Sequence, residues 1–497
     1  MSDPHILVID EGTTSTRAAA FTLDGRIAAE ASKPLTQSYP KPGWVEHDAA
    51  EIWANTIACA EAVAAAVGVE TIACAGITNQ RETVVFWDSE TGEPLAPAIV
   101  WQDRRTSDIC AALKASGHEP ETQAVTGLLL DPYFSATKIA WALEHLAEVR
   151  TAAGQGRLRV GTVDCYLRYR LSGGQVFKTD ASNAARTLLM RLHDVTWDAG
   201  QCAVLGVPET LLPAIGDCAG TLGTAKIAGR RIPVTGAAGD QQAAAAGQGC
   251  FAPGSVKATY GTGAFLIANA GKTPPKSEHR LLSTMGWRLG GQATYALEGS
   301  IFVAGSAVQW LRDQLGLIGS AGETEALAAS VPDSGGAMFV PAFAGLGAPY
   351  WQPEARGVIA GLSGGTGRAH IVRACLESMG NQTADVLTAM AADGVSPGVV
   401  KVDGGMVKND WLCQDLADAL GVEIERPEII ETTAMGAAML AAVGAGLFGS
   451  LEDAEAAMRR VDRTFRPRTS GDEREDRRAN WRRAVAQVQA GLASARS

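Results

Sequence analysis

The sequence predicts an α/β protein made of two similar halves with a cleft between them. Two Gly-Thr turns lie about half a chain apart, and each joins two apolar, strand-like segments, at residues 6–21 and 256–268. Glycine lets backbone N–H groups approach an anion closely, and Thr and Ser add neutral donors. The two turns therefore predict a duplicated fold whose halves close on one phosphate chain.

Length and composition indicate a globular protein of two or three domains. The chain has 497 residues, of which 46% are hydrophobic and 20% are charged, enough for sizeable cores. Its net charge of −11 argues against nucleic acid or an anionic membrane as the main partner. The apolar stretch at 57–69 is interrupted by Glu61, and the stretch at 435–448 is short, so we expect neither to span a membrane.

The cysteines and the first residues predict a cytoplasmic location. Nine cysteines are scattered along the chain without a C-x-x-C pair, which is typical of reduced thiols. Residues 1–10 include two aspartates and no lysine or arginine, unlike a signal peptide. We also expect a homo-oligomer, either a dimer or a tetramer.

The first half opens with strands and a helix. Strands are predicted at 6–9, 17–23 and 26–31. Asp24 and Gly25 form the turn between the second and third strands. Asp48 and Glu51 have the spacing of a capping box, which predicts the start of a helix.

Two further strands, at 71–78 and 83–87, flank the polar segment 79–82, which we expect to be a hairpin turn. A strand at 232–236 precedes a helical run at 243–246. This mixture of strands and helices is typical of an α/β fold.

The second half repeats the style of the first. The expected elements are a hairpin of 257–260 and 264–268, a helix at 304–314, a strand at 399–402 and a helix from Asn409 to Leu420. The charged tail at 459–483 is predicted to be a solvated helix and linker. Gly and Pro cluster at 247–254, so we divide the chain into domains at 1–250 and 251–497.

The first Gly-Thr turn carries candidate phosphate and metal ligands. Asp10 ends a buried strand just before the turn, where a carboxylate can hold Mg²⁺ beside phosphate oxygens. The alternative is an Asp that only initiates the turn. The hydroxyls of Thr13, Thr14 and Ser15 and the guanidinium of Arg17 favour a polyphosphate site.

Asp240 is the candidate general base. It follows Gly239 and precedes a helical run, so one interpretation is a helix N-cap. The functional interpretation is a base that accepts the proton of a substrate hydroxyl attacking the γ-phosphate. The two roles are compatible, because a cap would hold the carboxylate still.

Arg81 and Glu82 are candidates for binding a polyol. Neighbouring opposite charges in a turn are commonly solvated. With an aromatic wall beside them, however, Glu can accept and Arg can donate hydrogen bonds to adjacent hydroxyls. Trp101, Tyr133 and Phe265 are candidates for that wall, although each taken alone is more often part of a core.

With these residues in place, the chain resembles the FGGY carbohydrate kinase family over nearly its whole length. The stretches that carry the resemblance are Y-P-K-P-G-W-V-E-H-D (39–48), G-I-T-N-Q-R-E-T (76–83), W-Q-D-R-R (101–105), D-P-Y-F-S-A-T-K (131–138), G-D-Q-Q (239–242), Y-G-T-G (260–263), P-Y-W (349–351) and V-D-G-G (402–405). Y-G-T-G and D-G-G are shared with the wider actin/hexokinase-like superfamily. N-Q-R-E, W-Q-D-R-R and D-P-Y-F-S are far more specific to glycerol as substrate.

The resemblance implies two RNase H-like (actin/hexokinase-like) domains flanking a central cleft. It implies ATP-dependent phosphorylation of glycerol to sn-glycerol 3-phosphate with Mg²⁺. By motif position, the glycerol contacts are Arg81, Glu82, Trp101, Tyr133, Asp240, Gln241 and Phe265. The ATP contacts are Thr13, Thr14, Ser15, Arg17, Thr262, Gly305, Gln309, Gly405 and Asn409.

Two departures from the family pattern stand out. Glu11 occupies the position where the family usually has Gln, and a carboxylate near phosphates is unfavourable unless it points away or binds metal. The segment 223–231 is short and lacks the Gly-rich basic loop that binds fructose 1,6-bisphosphate in some relatives. We therefore expect no response to that effector.

Two alternatives remain at the level of sequence. One is a kinase of another polyol or a ketose, with the same chemistry and a different pocket. The other is a nucleotide-responsive sensor or chaperone-like ATPase that binds without phosphorylating. Asp240 discriminates between the classes, because a binding module needs no base facing a hydroxyl pocket.

Overall fold

The structure, a computed structural model, describes residues 3–494, with side chains as far as residue 490. Met1 and Ser2 of the N-terminal segment, and residues 495–497 of the second predicted domain, lie outside the described part. The elements are numbered here in chain order.

The strands include several of only two residues. They are β1 (His5–Glu11), β2 (Ser15–Phe21), β3 (Ile27–Pro34), β4 (Gln37–Ser38), β5 (Glu46–His47), β6 (Ile72–Asn79), β7 (Val84–Asp88), β8 (Ala98–Ile99), β9 (Leu158–Thr162), β10 (Lys178–Asp180), β11 (Met190–Arg191), β12 (Thr196–Trp197), β13 (Ala214–Gly216), β14 (Ala219–Ile227), β15 (Arg230–Gly239), β16 (Val256–Tyr260), β17 (Ala264–Gly271), β18 (Leu282–Leu289), β19 (Gln292–Ile301), β20 (Met338–Val340), β21 (Val358–Ala360), β22 (Val399–Asp403), β23 (Glu423–Pro427) and β24 (Val461–Phe465).

The helices pack on both faces of the strands. They are α1 (Ala49–Val67), α2 (Ser107–Ala115), α3 (Glu119–Thr126), α4 (Ser135–His145), α5 (Ala147–Gly154), α6 (Val163–Leu171), α7 (Ala181–Ala184), α8 (Ala199–Leu205), α9 (Asp240–Gly247), α10 (Gly305–Asp313), α11 (Glu323–Ala329), α12 (Arg368–Ala392), α13 (Asp410–Leu420), α14 (Thr432–Gly444), α15 (Leu451–Met458) and α16 (Gly471–Ser494).

The same strand order occurs twice in the 13-stranded main sheet. In the first half, β1 pairs antiparallel with β2, β2 with β3, and β6 and β15 continue parallel to β1. In the second half, β16, β17 and β19 repeat the antiparallel part, and β22 and β23 repeat the parallel part. The predicted duplication is confirmed. The chain has the two-domain actin/hexokinase-like fold.

The two repeats join at one narrow point of the sheet. The contact is a single parallel pair, Ala219 with Leu289, between β14 and β18. A five-stranded sheet of β4, β5, β8, β7 and β9 stands apart from the main sheet. Within the main sheet, one residue pair thus links the strands of the two halves.

Helix α14 ties the end of the chain back to the first half. It packs against α9 and crosses β15, β6 and β1. The helices approach very closely, because a Cβ added at Gly436 would lie 1.7 Å from the carbonyl oxygen of Ala243. Only glycine fits this contact without moving a backbone.

The structure corrects several details of the predicted elements. Segment 79–82 is not a hairpin turn, because β6 belongs to the main sheet and β7 to the five-stranded sheet. Asp48 does cap α1, accepting from Ala50 N at 2.8 Å, but the Glu51 carboxylate accepts from Thr36 instead of closing a capping box. The hydroxyl and the amide of Thr36 together offer Glu51 two donors, which compete with the backbone N–H at the start of the helix.

The tail is also less solvated than its charge predicts. Residues 461–465 form β24 at the sheet edge, paired with β23. In α16, Trp481 is buried, and its indole N–H donates to the Asp385 carboxylate at 2.6 Å. The many long charged side chains of this segment hide its apolar face when the sequence is read alone.

Segment 223–231 is a plain β-hairpin. β14 and β15 pair along it and turn at Ala228 and Gly229, both with positive φ, as a two-residue hairpin turn requires. The segment is thus a short connection between two paired strands, and insensitivity to fructose 1,6-bisphosphate stays a prediction.

Among residues 3–494, one helix is long and apolar enough to cross a membrane. It is α1, which contains Glu51 and Glu61 and packs its apolar face on β1, β2 and β3. A core helix of this kind passes the same length and composition test.

Replacing Gly436 with Ala should lower the melting temperature by several degrees, because the new methyl group would overlap the Ala243 carbonyl. Gly154→Ala is the matched control, since an added Cβ there meets nothing within 4 Å at the end of α5. Differential scanning calorimetry of both variants tests this. Equal melting temperatures would contradict the close packing of α14 on α9.

Candidate active site

Three adjacent parallel strands of the first half end at one edge of the sheet. Asp10 lies opposite Thr78, and Asn79 lies opposite Gly239. Asp10, the segment after β6 and the start of α9 are thereby brought together. The carboxyl ends of parallel strands are where α/β folds place ligands.

A buried cluster of two arginines and two glutamates forms the floor of this site. Arg81 holds Glu298 through two contacts, Nη1 to Oε2 at 2.5 Å and Nη2 to Oε1 at 3.1 Å. Arg186 bridges the glutamates, with Nη2 at 2.9 Å from Glu298 Oε1 and Nε at 2.6 Å from Glu82 Oε1. None of the four residues is more than 3% exposed. The interpretation of Arg81 and Glu82 as a solvated pair is therefore wrong.

Sequence reasoning missed Arg186 and Glu298. Glu298 is the single charged residue in β19, where its neighbours are apolar or small. An isolated carboxylate in such a strand is a signal for a buried, paired charge. That signal indicates that Glu298 is paired. It does not indicate the partners, Arg81 and Arg186, which lie in the other half of the chain.

The pKa values of the two carboxylates in the cluster are shifted in opposite directions. Burial alone would raise the pKa of Glu298, but the Arg186 and Arg81 guanidiniums together hold it below its ordinary value. Burial raises the pKa of Glu82, against the effect of Arg81 and Arg186. Glu298 is thus the firmly ionised member of the cluster.

Glu82 has an unusual backbone. Its φ of 62° lies in the left-handed region, which costs a non-glycine residue energy and tends to occur at functional sites. Its carbonyl accepts a hydrogen bond from Ser135 Oγ at 3.0 Å. In this conformation the Glu82 carboxylate accepts from Arg186 Nε.

Asp240 lies at the opening of the site. It is the first residue of α9, and Gly239 is the N-cap, so the predicted cap is displaced by one residue. Its Oδ1 lies 3.2 Å from Arg81 Nε and accepts from Gln241 N at 2.6 Å. The side chain is 32% exposed, so a carboxylate anchored on one oxygen faces the cleft.

Gln241 is held from the second half of the chain. Its Oε1 accepts from the ammonium of Lys257, which is fully buried on β16. Burial lowers the pKa of Lys257, against the attraction of Asp403 and Asp240. The contact ties the first turn of α9 to β16 of the second half.

The three aromatic rings proposed as a wall lie against one another. The ring of Trp101 meets Tyr133 and Phe265 edge to face, with centroids 5.7 and 6.3 Å apart. All three are partly exposed, so they form a wall of the cleft rather than a core. Trp101 Nε1 donates to Thr13 Oγ1 at 2.9 Å, and Tyr133 OH accepts from Arg81 Nη2 at 3.4 Å.

The two acidic residues at the first Gly-Thr turn point in different directions. Burial and then the charge of Asp240 raise the pKa of Asp10 to about 7. The two carboxylates are therefore close enough to repel each other. Glu11 is fully buried and accepts from Thr16 Oγ1 at 2.9 Å and from Thr56 Oγ1 at 3.3 Å. Burial raises the pKa of Glu11 well above its ordinary value. Glu11 thus faces the core, away from the turn.

Arg17 is already paired. Its guanidinium contacts Glu30 at 2.5 Å and Glu431 at 2.9 Å. Glu431 is the N-cap of α14, so Arg17 connects the first turn to that helix. Thr13, Thr14 and Ser15 stay accessible in the turn.

The second half supplies a cavity of about 340 Å³. Among its lining residues are the predicted nucleotide contacts Thr262, Gly305, Gln309 and Gly405. Thr259 on β16 pairs with Asp403 on β22, so the glycine turns that follow these two strands, at 261–263 and 404–405, lie side by side. A Cβ at Gly305 would lie 2.5 Å from the Gly261 carbonyl oxygen, so the cavity wall requires glycine there.

Asn409 does not line this cavity. Its side chain caps α13, accepting from Leu412 N at 2.9 Å, and donates to Thr324 at 3.2 Å. The prediction that α13 begins at this position is confirmed. In this conformation its amide is engaged in holding the helix.

A repeated sheet around a cleft, with a carboxylate at the end of a parallel strand and Gly-Thr turns on both sides, is the arrangement of an actin/hexokinase-like phosphotransferase. Two models, of the N-terminal and C-terminal domains of the FGGY family of carbohydrate kinases, match residues 5–247 and 256–445. The chain belongs to this family.

Curated relatives match along almost the whole chain. A glycerol kinase of Alcanivorax borkumensis is 53% identical and covers 98% of both chains. A glycerol kinase of Rhodospirillum rubrum is also 53% identical, over 98% of this chain and 100% of its own. The solved structure of Plasmodium falciparum glycerol kinase with ADP has a TM-score of 0.93 at 35% identity, covering 98% of both chains.

The raised pKa of Asp10 makes the stability of the metal-free protein depend on pH. Its folded-state pKa, about 7, lies above the ordinary value of 3.8, so stability falls as pH rises from about 4 to about 7. Asp10→Asn should therefore melt a few degrees above the wild type at about pH 8, with the difference vanishing near pH 4. Scanning calorimetry in the presence of a chelator measures both. No gain at the higher pH would contradict the buried environment of Asp10.

Proposed function

We propose that this chain transfers the γ-phosphoryl group of ATP to glycerol, giving sn-glycerol 3-phosphate, with Asp240 as general base. One observation carries the proposal. The partly exposed Asp240 carboxylate is anchored to Arg81 beside Glu82, under a wall of three aromatic rings. A base facing a small polar pocket with an apolar wall suits a short polyol.

The acceptor hydroxyls would bind to the carboxylates. Arg186 occupies Oε1 of Glu82, which leaves Oε2 to accept from a substrate hydroxyl. Both described contacts of Asp240 use Oδ1, so Oδ2 is placed to take the proton of the attacking hydroxyl. Proton removal by a fixed carboxylate needs little reorganisation at the moment of reaction.

The aromatic wall favours a three-carbon acceptor over a ketose. Trp101, Tyr133 and Phe265 are locked edge to face, and Trp101 is further fixed by Thr13. Rigid rings limit the length of chain that can lie beside Asp240. The relatives named glycerol kinase support the same substrate.

ATP would bind between the two Gly-Thr turns. Thr13, Thr14 and Ser15 offer hydroxyls to the phosphates, and the cavity at Thr262 and Gly405 would take the nucleoside. Arg17 and Asn409 are proposed to act while keeping their present partners, Arg17 by its charge and Asn409 by fixing α13.

Asp10 fits Mg²⁺. Its carboxylate is an oxygen donor, and a cation there would stabilise the ionised form that burial and then the charge of Asp240 disfavour. One or two carboxylates together with substrate phosphates are the usual ligands of this ion. Bound there, Mg²⁺ would neutralise charge on the transferring phosphoryl group.

We also propose the predicted division into domains at 1–250 and 251–497, a cytoplasmic location and a homo-oligomeric state. The end of α9 at Gly247 and the start of β16 at Val256 support the division. All nine cysteines are buried and unpaired in residues 3–494, which suits a reducing compartment.

Asp240→Asn should lower the kcat of glycerol phosphorylation by about 10²–10⁴-fold, while the KM for ATP stays near the wild-type value. Steady-state kinetics with coupled detection of ADP measure both. Asp198→Asn is the control, because Asp198 also starts a helix, capping α8 outside the site, and should cost stability alone. Near-wild-type kcat in Asp240→Asn would refute the assignment of the base.

The same ADP assay compares acceptors. Glycerol should be phosphorylated faster than xylulose or ribulose at equal concentration, because the aromatic wall limits the pocket. A preference for either ketose would overturn the choice of substrate and leave the family assignment standing.

A further inference from the structure

We propose that Glu298 and Arg186 are positioning residues of the acceptor site, and that the second half of the chain thereby aligns the polyol-binding groups of the first. Glu298 orients Arg81, which orients Asp240, and Arg186 orients Glu82. The proposal rests on the proposed function, since it concerns the geometry of that same acceptor site.

Arg81 contacts four side chains of the site. A guanidinium has five N–H groups. Nε faces Asp240 at 3.2 Å, and the two Nη groups face Glu298, Gln242 at 3.3 Å and Tyr133 at 3.4 Å. Because both Nη groups donate to the protein and Nε forms an ion pair with Asp240, Arg81 fixes the base and the aromatic wall.

Glu298 sets the orientation of Arg81. Its carboxylate takes the two shortest contacts of Arg81, at 2.5 and 3.1 Å, in the bidentate geometry that fixes a guanidinium plane. Glu298 is completely buried in β19, between β17 and β18. A strand in the middle of a sheet is a rigid mount, so Arg81 cannot turn without breaking this pair.

Arg186 does the same for Glu82. It is completely buried, directly after α7, with its guanidinium about 5 Å from the ring of Phe134. Because it spans Glu82 and Glu298 with two different nitrogens, the two carboxylates keep a fixed separation. Lysine, with a single nitrogen, could not hold both in this way.

The cluster crosses the boundary between the halves. Arg81, Glu82 and Arg186 precede residue 247, and Glu298 follows residue 256, on either side of the two matched family domains. The acceptor end of the cleft is therefore pinned by buried charges. Movement of the halves that separated this cluster would have to break its buried ion pairs.

The test uses the full-length protein and two variants, Glu298→Gln and Arg186→Lys. Glu298→Gln keeps the shape of the side chain and removes the charge that aligns Arg81. We expect each variant to raise the KM for glycerol about tenfold or more and to lower kcat by about 10–10²-fold, with the KM for ATP within about twofold of wild type. If Glu298→Gln fails to fold, the milder Arg186→Lys decides the question.

Asp415→Asn is the matched control. Asp415 forms a bidentate pair with Arg477 at 2.6 and 2.9 Å, and its side chain is 6% exposed. Breaking this pair should lower the melting temperature and leave the KM for glycerol unchanged. The contrast separates positioning from general loss of stability.

Two results would overturn the inference. One is wild-type glycerol kinetics in folded Glu298→Gln or Arg186→Lys. The other is that the KM for glycerol and the KM for ATP rise by the same factor, in the two variants and in Asp415→Asn alike. The wild-type rate in the same assay tests the proposed function by itself. Absent wild-type turnover contradicts both ideas, whereas normal turnover with unchanged variants contradicts the positioning role alone.

Discussion

The interaction on which this site depends is the buried cluster of Arg81, Glu82, Arg186 and Glu298. Its charges balance, and each carboxylate faces at least one guanidinium within 3 Å. Removing one member would leave an uncompensated charge in a dry environment, which is far more costly than losing a surface pair. The cluster therefore specifies one geometry for the cleft floor.

The rest of the fold can be understood as support for that geometry. Two copies of one strand order bring their carboxyl ends to a common cleft, one copy presenting Asp10 and Asp240 and the other the glycine turns of the nucleotide cavity. Within the main sheet, the strands of the two halves are joined by a single residue pair. Buried charges, the packing of α14 and the contact between Lys257 and Gln241 must therefore hold the halves together.

Local pattern was enough to predict the duplication and the strands that flank the two Gly-Thr turns. The turns at Gly12 and Gly261 and the helix start at Asn409 follow from short-range chemistry. Long-range partners were beyond it. Nothing near Arg81 indicates that its carboxylate partner lies 217 positions away, and the charge of the tail hid the burial of Trp481. The direction in which Glu11 points could not be predicted either, because it depends on Thr56 in a neighbouring helix.

The most direct test is a crystal structure of the protein with glycerol and ADP bound. The account predicts glycerol hydroxyls within hydrogen-bond distance of the Glu82 and Asp240 carboxylates, against Trp101, with the pair between Arg81 and Glu298 intact. Glycerol bound elsewhere, or Arg81 turned away from Glu298 to bind it, would contradict the account.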